Sequence, residues 1–473
     1  MRAQVESLVV LSDVHLGSDL NDAGPVVPRS SAIDRDLVSC IEHYASNAPP
    51  AGRWRMIIAG DFIDFAGMAI EPEADAVLTT ELTEEEIEHG LGSAEDHARQ
   101  KLRRVKRRHD DVFAALGKFV AAGHAITILH GNHDLELHWE GVRADFRDSV
   151  LGASATEAER VRIEFSPLFF YRDGVVYIEH GHQYDPFCAT AHPLAPVSPL
   201  DPRRVVRAFS DVLLRFVVRK TQGMREHGHE TKGLLSYIAF AVNLGVSGMW
   251  KLLVRFARSI REAIRLQRAY LSEGAQKLRA EHERRAAELA KASRVGVERV
   301  QRLLSLHATP VSHSISAILA SVLIDRLALA FFAIVALTVA GVLALTGHTS
   351  GALYTVIGTL VGWGAVHFYL TRTRNIDPAM QMQQRATQLV RLFPAAFVVM
   401  GHTHVPVQAS AGQTTYINVG SWAEEEEEPE AVARGQAYRA ARTHLVIHER
   451  DGRVEASLYE WDSTQGTPRK REA

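Results

Sequence analysis

The sequence predicts an α/β fold whose reactive residues gather along one edge of its sheets, and three observations carry that expectation. Five short apolar runs are each followed at once by Asp, Asn or His. Charged stretches with apolar residues every third or fourth position separate the early runs, as helices between strands require. Further β-prone runs follow the last of the five. Polar ligands collected at strand ends are how α/β domains build their sites.

Taken in order, residues 7–11 (SLVVL) read as a buried strand running into Asp13-x-His15. Residues 56–59 run into Gly60-Asp61-x-x-Asp64, and 125–129 into Gly131-Asn132-His133-Asp134. Residues 175–178 run into His180-Gly181-His182, and 397–400 into Gly401-His402-Thr403-His404. Residues 34–45 and 96–120 carry helical periodicity, whereas 82–89 (LTEEEIEH) read as a solvated acidic helix or loop. Beyond His404, residues 415–419, 443–447 and 453–458 are expected strands closing a second sheet. Residues 418–422 (NVGSW) are expected to support the site from below, and the glutamate run 424–428 to be an exposed loop.

A chain of 473 residues suggests about three domains. The hydrophobic fraction of 46% and charged fraction of 23% exclude disorder as the main state. A formal charge of −3 gives no general pull toward nucleic acid. Cys40 and Cys188 are too few for a disulfide framework or a thiolate zinc cluster. The first seventeen residues hold no apolar core with a cleavage site, so secretion is not expected.

The reading divides the chain into a first core part (1–190), a helical insertion (191–393), a second core part (394–465) and a tail (466–473). The insertion opens with Pro193, Pro196, Pro199 and Pro202, continues into an Arg-flanked amphipathic stretch (203–219), and then an apolar one (234–254). Residues 251–304 are helical and basic, a face for anionic lipid headgroups or a solvated arm. Residues 327–346 and 352–370 are free of charge and, at 1.5 Å per residue, reach roughly 28–30 Å, the thickness of a bilayer's hydrocarbon. Arg326 precedes the pair and Arg372 and Arg374 follow it, so a transmembrane hairpin would keep both ends in the cytoplasm. A buried helical hairpin is the alternative.

The chemistry follows from residue types. Divalent cations take carboxylate, amide oxygen and neutral imidazole. Asp13 and His15, one residue apart, can face one side of a strand, and so can His402 and His404. Asp61, backed by Gly60, is free to bridge two ions through its two oxygens. Together the five motifs resemble the calcineurin-like metallophosphoesterase superfamily, over residues 7–185 and 397–461.

The resemblance implies a four-layer α/β/β/α sandwich with two divalent ions, manganese foremost, with iron, zinc, nickel or magnesium as alternatives. It assigns Asp13, His15, Asp61 and His404 to the first ion, and Asp61, Asn132, His180 and His402 to the second. His182 is the alternative to His180. A bridging hydroxide is the implied nucleophile, His133 the implied general acid with Asp134 orienting its ring, and Asp64 an acceptor from a ligand histidine. The expected activity is hydrolysis of a phosphoester or pyrophosphate at the cytoplasmic membrane face, with a lipid-linked substrate in view. UDP-2,3-diacylglucosamine hydrolases are similar in carrying a helical insertion in the same interval, but many have Arg where this chain has His133. A nuclease or nucleotide phosphodiesterase, using the basic helix, is the second reading, and a non-catalytic membrane scaffold the third.

Overall fold

A computed structural model describes residues 6–22, 29–49, 52–74, 77–221, 234–270, 272–314, 317–318, 336–373, 378–423, 442–450 and 453–471. The apolar runs become strands β1 (Glu6–Leu11), β2 (Arg53–Ala59), β3 (Ala125–Leu129), β4 (Ile163–Ser166), β5 (Phe169–Arg172), β6 (Gly174–Glu179) and β7 (Ala395–Met400). Five more follow: β8 (Val407–Ala411), β9 (Thr414–Asn418), β10 (Thr443–Arg450), β11 (Arg453–Asp462) and β12 (Thr467–Lys470). They form two mixed sheets, ordered β12-β11-β10-β1-β2-β3-β4 and β5-β6-β7-β9-β8. Of the strands expected to close the second sheet, β9 does so, but β10 and β11 extend the first. β10 pairs antiparallel with β1 (Leu8 opposite Ile447) and so covers what would otherwise be an open edge.

The register positions the site. β1, β2 and β3 run parallel with Leu11 opposite Ile58 and Ala59 opposite Leu129, so the residues after each strand emerge side by side. In the second sheet β6 and β7 are parallel neighbours, Ile178 opposite Val399, which brings His180 and His402 to one end.

The early helices are α1 (Ser31–Ser46), α2 (Glu84–His89), α3 (Glu95–Arg108), α4 (Asp110–Ala121), α5 (Glu140–Leu151) and α6 (Glu157–Arg160). α1 starts at Ser30, whose hydroxyl accepts from the Ala32 N–H. Residues 96–120 are two helices, broken at His109. One apolar cluster joins the first sheet to these helices through Leu37, Leu102, Phe113, Leu116 and Phe146. Another, with Val10, Ile57, Val176, Ile178 and Val399, is shared by both sheets.

The insertion contains α7 (Phe209–Leu213), a π-helical turn (Leu214–Val218), α8 (Leu234–Ala269), α9 (Glu273–Ala292) and α10 (Val297–Leu306). Two further helices, Thr349–Thr373 and Pro378–Leu392, follow. α9, α10 and the helix Pro378–Leu392 bury Leu289, Leu303, Met382 and Leu389 in one cluster with Tyr177, Val398 and Met400 of the second sheet. This part of the insertion therefore covers that sheet. Thr349–Val366 is apolar enough to cross a membrane by length and composition, and of its residues Ala352 alone is buried. Of the expected segment 327–346, residues 327–335 lie outside the described residues, and Ala336–Leu345 is a short apolar helix. The glutamate run 424–428 also lies outside them.

The acidic stretch 82–89 is solvated on one side only: Glu84, Ile87 and Glu88 are exposed, while Glu86 and His89 are buried. α2 is the dock for the arginine-rich start of the insertion. Glu86 takes Arg204 at 2.7 Å, and Glu85 takes Arg207 at 2.8 Å together with Arg215. Glu88 takes Arg258 at 2.9 Å, and its carbonyl takes the Lys220 ammonium at 2.8 Å. Arg215 is 4% exposed. Glu85→Ala would leave it buried without its carboxylate, a loss worth about 3 kcal/mol for such a pair. Urea denaturation should register that loss, and trypsin should cut faster after Arg207 and Arg215; unchanged cleavage would contradict the dock.

Candidate metal centre

The loops after β1 and β2 are laced together. The Asp13 N–H donates to Gly60 O (3.2 Å), those of Val14 and His15 to Asp61 O (2.9 and 3.0 Å), and that of Leu16 to Phe62 O (2.9 Å). Beneath them the Ser421 hydroxyl and the Trp422 N–H donate to Asp13 O at 2.9 and 3.0 Å. This lacing holds an unusual backbone. Asp13, His15, Asp61, His402 and His404 have φ of 53°, 51°, 51°, 70° and 61°. Among the described non-glycine residues, Arg294 alone shares that left-handed region. Such conformations cost an L-residue of order 1–3 kcal/mol each and persist where the surroundings over-determine them, typically at functional sites.

The side chains converge in two buried groups that share Asp13: Asp13, His15 and His404, and Asp13, Asp61 and His180. Asp61 Oδ2 lies 3.7 Å from His15 Nε2 and 3.2 Å from His180 Nε2. Asp13 Oδ1 lies 3.2 Å from His404 Nε2 and 4.0 Å from His15 Nε2, in no well-formed hydrogen bond, and His15 Nε2 also has none. Asn132 Oδ1 is 3.3 Å from His180 Nε2, while His180 Nδ1–H donates to Ala59 O at 2.9 Å, turning Nε2 toward the cluster. Gly131 makes the approach possible, since a Cβ there would collide with the Asp61 carboxylate.

The electrostatics are those of a cation site. Burial pulls the His180 imidazole down, but Asp61 and Asp13 outweigh it and raise its pKa to about 9. Burial works against the Asp13 carboxylate too, yet His404 and His180 hold it well below the usual range. His15 is pushed down to about 3 by burial and then by His133, so it is neutral and offers a lone pair. These buried His/Asp clusters can hold a metal ion.

Several details differ from the sequence reading. Asp61 does not present both oxygens: Oδ1 accepts the His133 N–H at 2.9 Å, leaving Oδ2 between His15 and His180. Asp134 does not orient His133. Its oxygens accept the N–H groups of Gly131 (2.6 Å) and Phe62 (2.8 Å), tying the two loops together, and burial and Asp61 raise its pKa to about 7. The His133 ring is held instead by Asp64, Nδ1 to Oδ1 at 2.7 Å. His182 lies behind His180, ring centroids 5.2 Å apart, with Nε2 against the Gln183 amide. His402 sits 5.3 Å from the His180 ring, but its Nε2 faces Asp185 Oδ2 at 3.2 Å, in a group with Cys188. Sequence reasoning missed Asp185, although a carboxylate five residues after His180 was a usable signal. It also missed Arg219, whose guanidinium meets Asp64 at 3.0 Å.

Fold and site thus define a mixed α/β protein with a buried Asp/His cluster able to hold metal. Neither a scan against protein-family models nor a search of curated proteins gives a match.

In metal-free protein a cation must displace the proton on His180. The raised pKa means this group's pairing stabilises the fold fully below pH 6.5 and is lost as pH rises through about 9. Manganese affinity should therefore climb across that window and flatten above it, with proton release on binding measurable by calorimetry. Gly131→Ala, which alters no ligand, should weaken binding by about tenfold or more. Affinity indifferent to either change would contradict the site.

Proposed function

We propose that the chain is a di-metal phosphoester or pyrophosphate hydrolase of the calcineurin-like metallophosphoesterase type, acting at the cytoplasmic face of a membrane. The observation that carries the reading is the left-handed backbone: five of the six described non-glycine residues that adopt it are candidate ligands. The apolar clusters on both faces of the first sheet and on the outer face of the second support the α/β/β/α layering.

Asp13, His15, Asp61 and His404 would hold one cation, and Asp61, Asn132, His180 and His402 the other. Asp13 Oδ1 and His15 Nε2, buried without a well-formed hydrogen bond, and the mixed oxygen and imidazole donors fit that assignment. Two divalent cations would supply Lewis acidity, making water a stronger nucleophile and stabilising charge on the attacking and leaving oxygens. The protein's own part is proton delivery. With Nδ1–H committed to Asp64, His133 Nε2 is the nitrogen that hands a proton to the leaving oxygen. The water oxygen bonds to phosphorus, the P–O bond to the leaving group breaks, and the water's proton passes to solvent. Asp134 serves by fixing the loop that carries Asn132 and His133.

The membrane side of the reading rests on the exposed helix Thr349–Thr373, where Leu353, Tyr354, Leu360, Val361 and Phe368 are all more than half exposed. With the flanking arginines, it supports a hairpin anchor and a lipid-linked substrate.

Manganese-loaded protein should hydrolyse bis(p-nitrophenyl) phosphate, with Asn132→Ala and His402→Ala each lowering kcat by about a hundredfold or more at unchanged folding. Side-by-side assay on a phospholipid pyrophosphate and single-stranded DNA separates the substrates. DNA cleavage without lipid turnover would favour a nuclease, and no turnover with metal bound a scaffold. The protein should resist carbonate extraction, and removal of residues 327–370 should release it; wild type that extracts freely contradicts the anchor.

A further inference from the structure

We propose that Arg219, supplied by the insertion, is a positioning residue for His133, so that docking of the insertion completes the proton-donating apparatus of the core. The inference rests on the hydrolase reading above and deepens it.

The geometry is a chain of three side chains, His133 and Asp64 buried and Arg219 partly so. His133 Nδ1 lies 2.7 Å from Asp64 Oδ1, and Arg219 Nη2 lies 3.0 Å from Asp64 Oδ2. The Gly67 N–H also donates to Oδ1 at 2.8 Å. The Asp64 side chain is 1% exposed and that of Arg219 11%. An aspartate turns readily about its last torsion, so a carboxylate held on one oxygen alone does not fix the plane of its partner ring. With Arg219 on the second oxygen, the carboxylate plane is set, and with it the direction of His133 Nε2. Despite the cost of burial, His133 and Arg219 keep Asp64 ionised, well below the usual carboxylate range.

Two features show that this contact is built. Gly67 leaves the space through which the pair meets, for a Cβ there would collide with both the Asp64 carboxylate and the Arg219 guanidinium. Arg219 is also held at its backbone and at its guanidinium tip. It follows the π-helical turn Leu214–Val218, its N–H donates to Leu214 O at 2.9 Å, and its Nη1 donates to Ser18 O at 3.0 Å. π-turns recur at functional sites because the extra residue re-aims the side chain that follows. Four residues earlier Arg215 is fixed on α2 through Glu85 and the carbonyls of Gly90 and Leu91. Two residues later the Thr221 hydroxyl accepts from Arg255 of α8 at 2.8 Å.

A residue that aims the proton donor affects poor leaving groups, which need the proton, more than good ones, which leave without it. Arg219→Met should lower kcat on diphenyl phosphate by about thirtyfold but on bis(p-nitrophenyl) phosphate by less than about threefold, at unchanged metal content. Arg219→Lys should recover part of the loss. Gly67→Ala, which leaves every charge of the insertion in place, should reproduce the same selectivity. In metal-free protein with ¹⁵N-labelled histidine, the hydrogen-bonded Nδ1–H proton of His133, assigned by its loss in His133→Gln, should shift or broaden in Arg219→Met. Equal losses on both esters, or no loss on diphenyl phosphate, overturn the proposal, as does a resonance unchanged in Arg219→Met. Wild type that turns over neither ester fails the hydrolase reading instead, and the resonance alone then decides the positioning role.

Discussion

The structure depends on holding carboxylates and imidazoles together, out of water, on backbone that L-residues avoid. Neither condition is favourable alone. Buried charge is costly unless it is paired, and left-handed φ at Asp and His persists only where the surroundings over-determine it. The fold meets both conditions with one device. Parallel strands in matched register deliver the loops after β1 and β2 side by side, and a run of backbone hydrogen bonds locks each loop to the other. The strain at Asp13 and Asp61 is thus maintained by the sheet, and the side chains have little freedom except to converge.

The charge balance explains why the cluster suits cations. Asp13 and Asp61 stand against His15, His180 and His404, and in the absence of metal a proton on His180 takes the place of a cation. A proton satisfies one nitrogen, whereas Asp13 Oδ1 and His15 Nε2 remain buried without hydrogen bonds. Unsatisfied atoms of this kind cost of order 1–3 kcal/mol each, which a bound ion would recover by ligating them.

Much of this was legible in the sequence because each motif sits where a strand stops. A short β-branched run followed by Asp, Asn or His fixes both the strand and the place of its polar residue, so the positions of Asp13, Asp61, Asn132, His180 and His402 could be read along with β1, β2, β3, β6 and β7. What could not be read is what depends on orientation or on distant partners. Whether Asp64 or Asp134 faces His133 turns on how the loop after β3 crosses the one after β2, and spacing is silent on that. The acidic stretch 82–89 looked solvated because its partners, Arg204, Arg207 and Arg215, lie more than a hundred residues away. Assigning β10 and β11 to the second sheet failed for a related reason: chain order places them after β9, but the unfilled edge beside β1 recruits them.

The insertion's place in the chain sets its first residues beside the candidate site. It leaves β6 at the end where the ligands gather, and it returns to β7 at the opposite end through the helix Pro378–Leu392, because the two strands are parallel neighbours. Its first residues must therefore pass beside the candidate metal centre whatever the rest of it does. Those residues are arginine-rich, and the core presents α2 to receive them, so their path is fixed by ion pairs, several of them largely buried. The exposed apolar helix and the arginine that meets Asp64 thus belong to the same inserted segment.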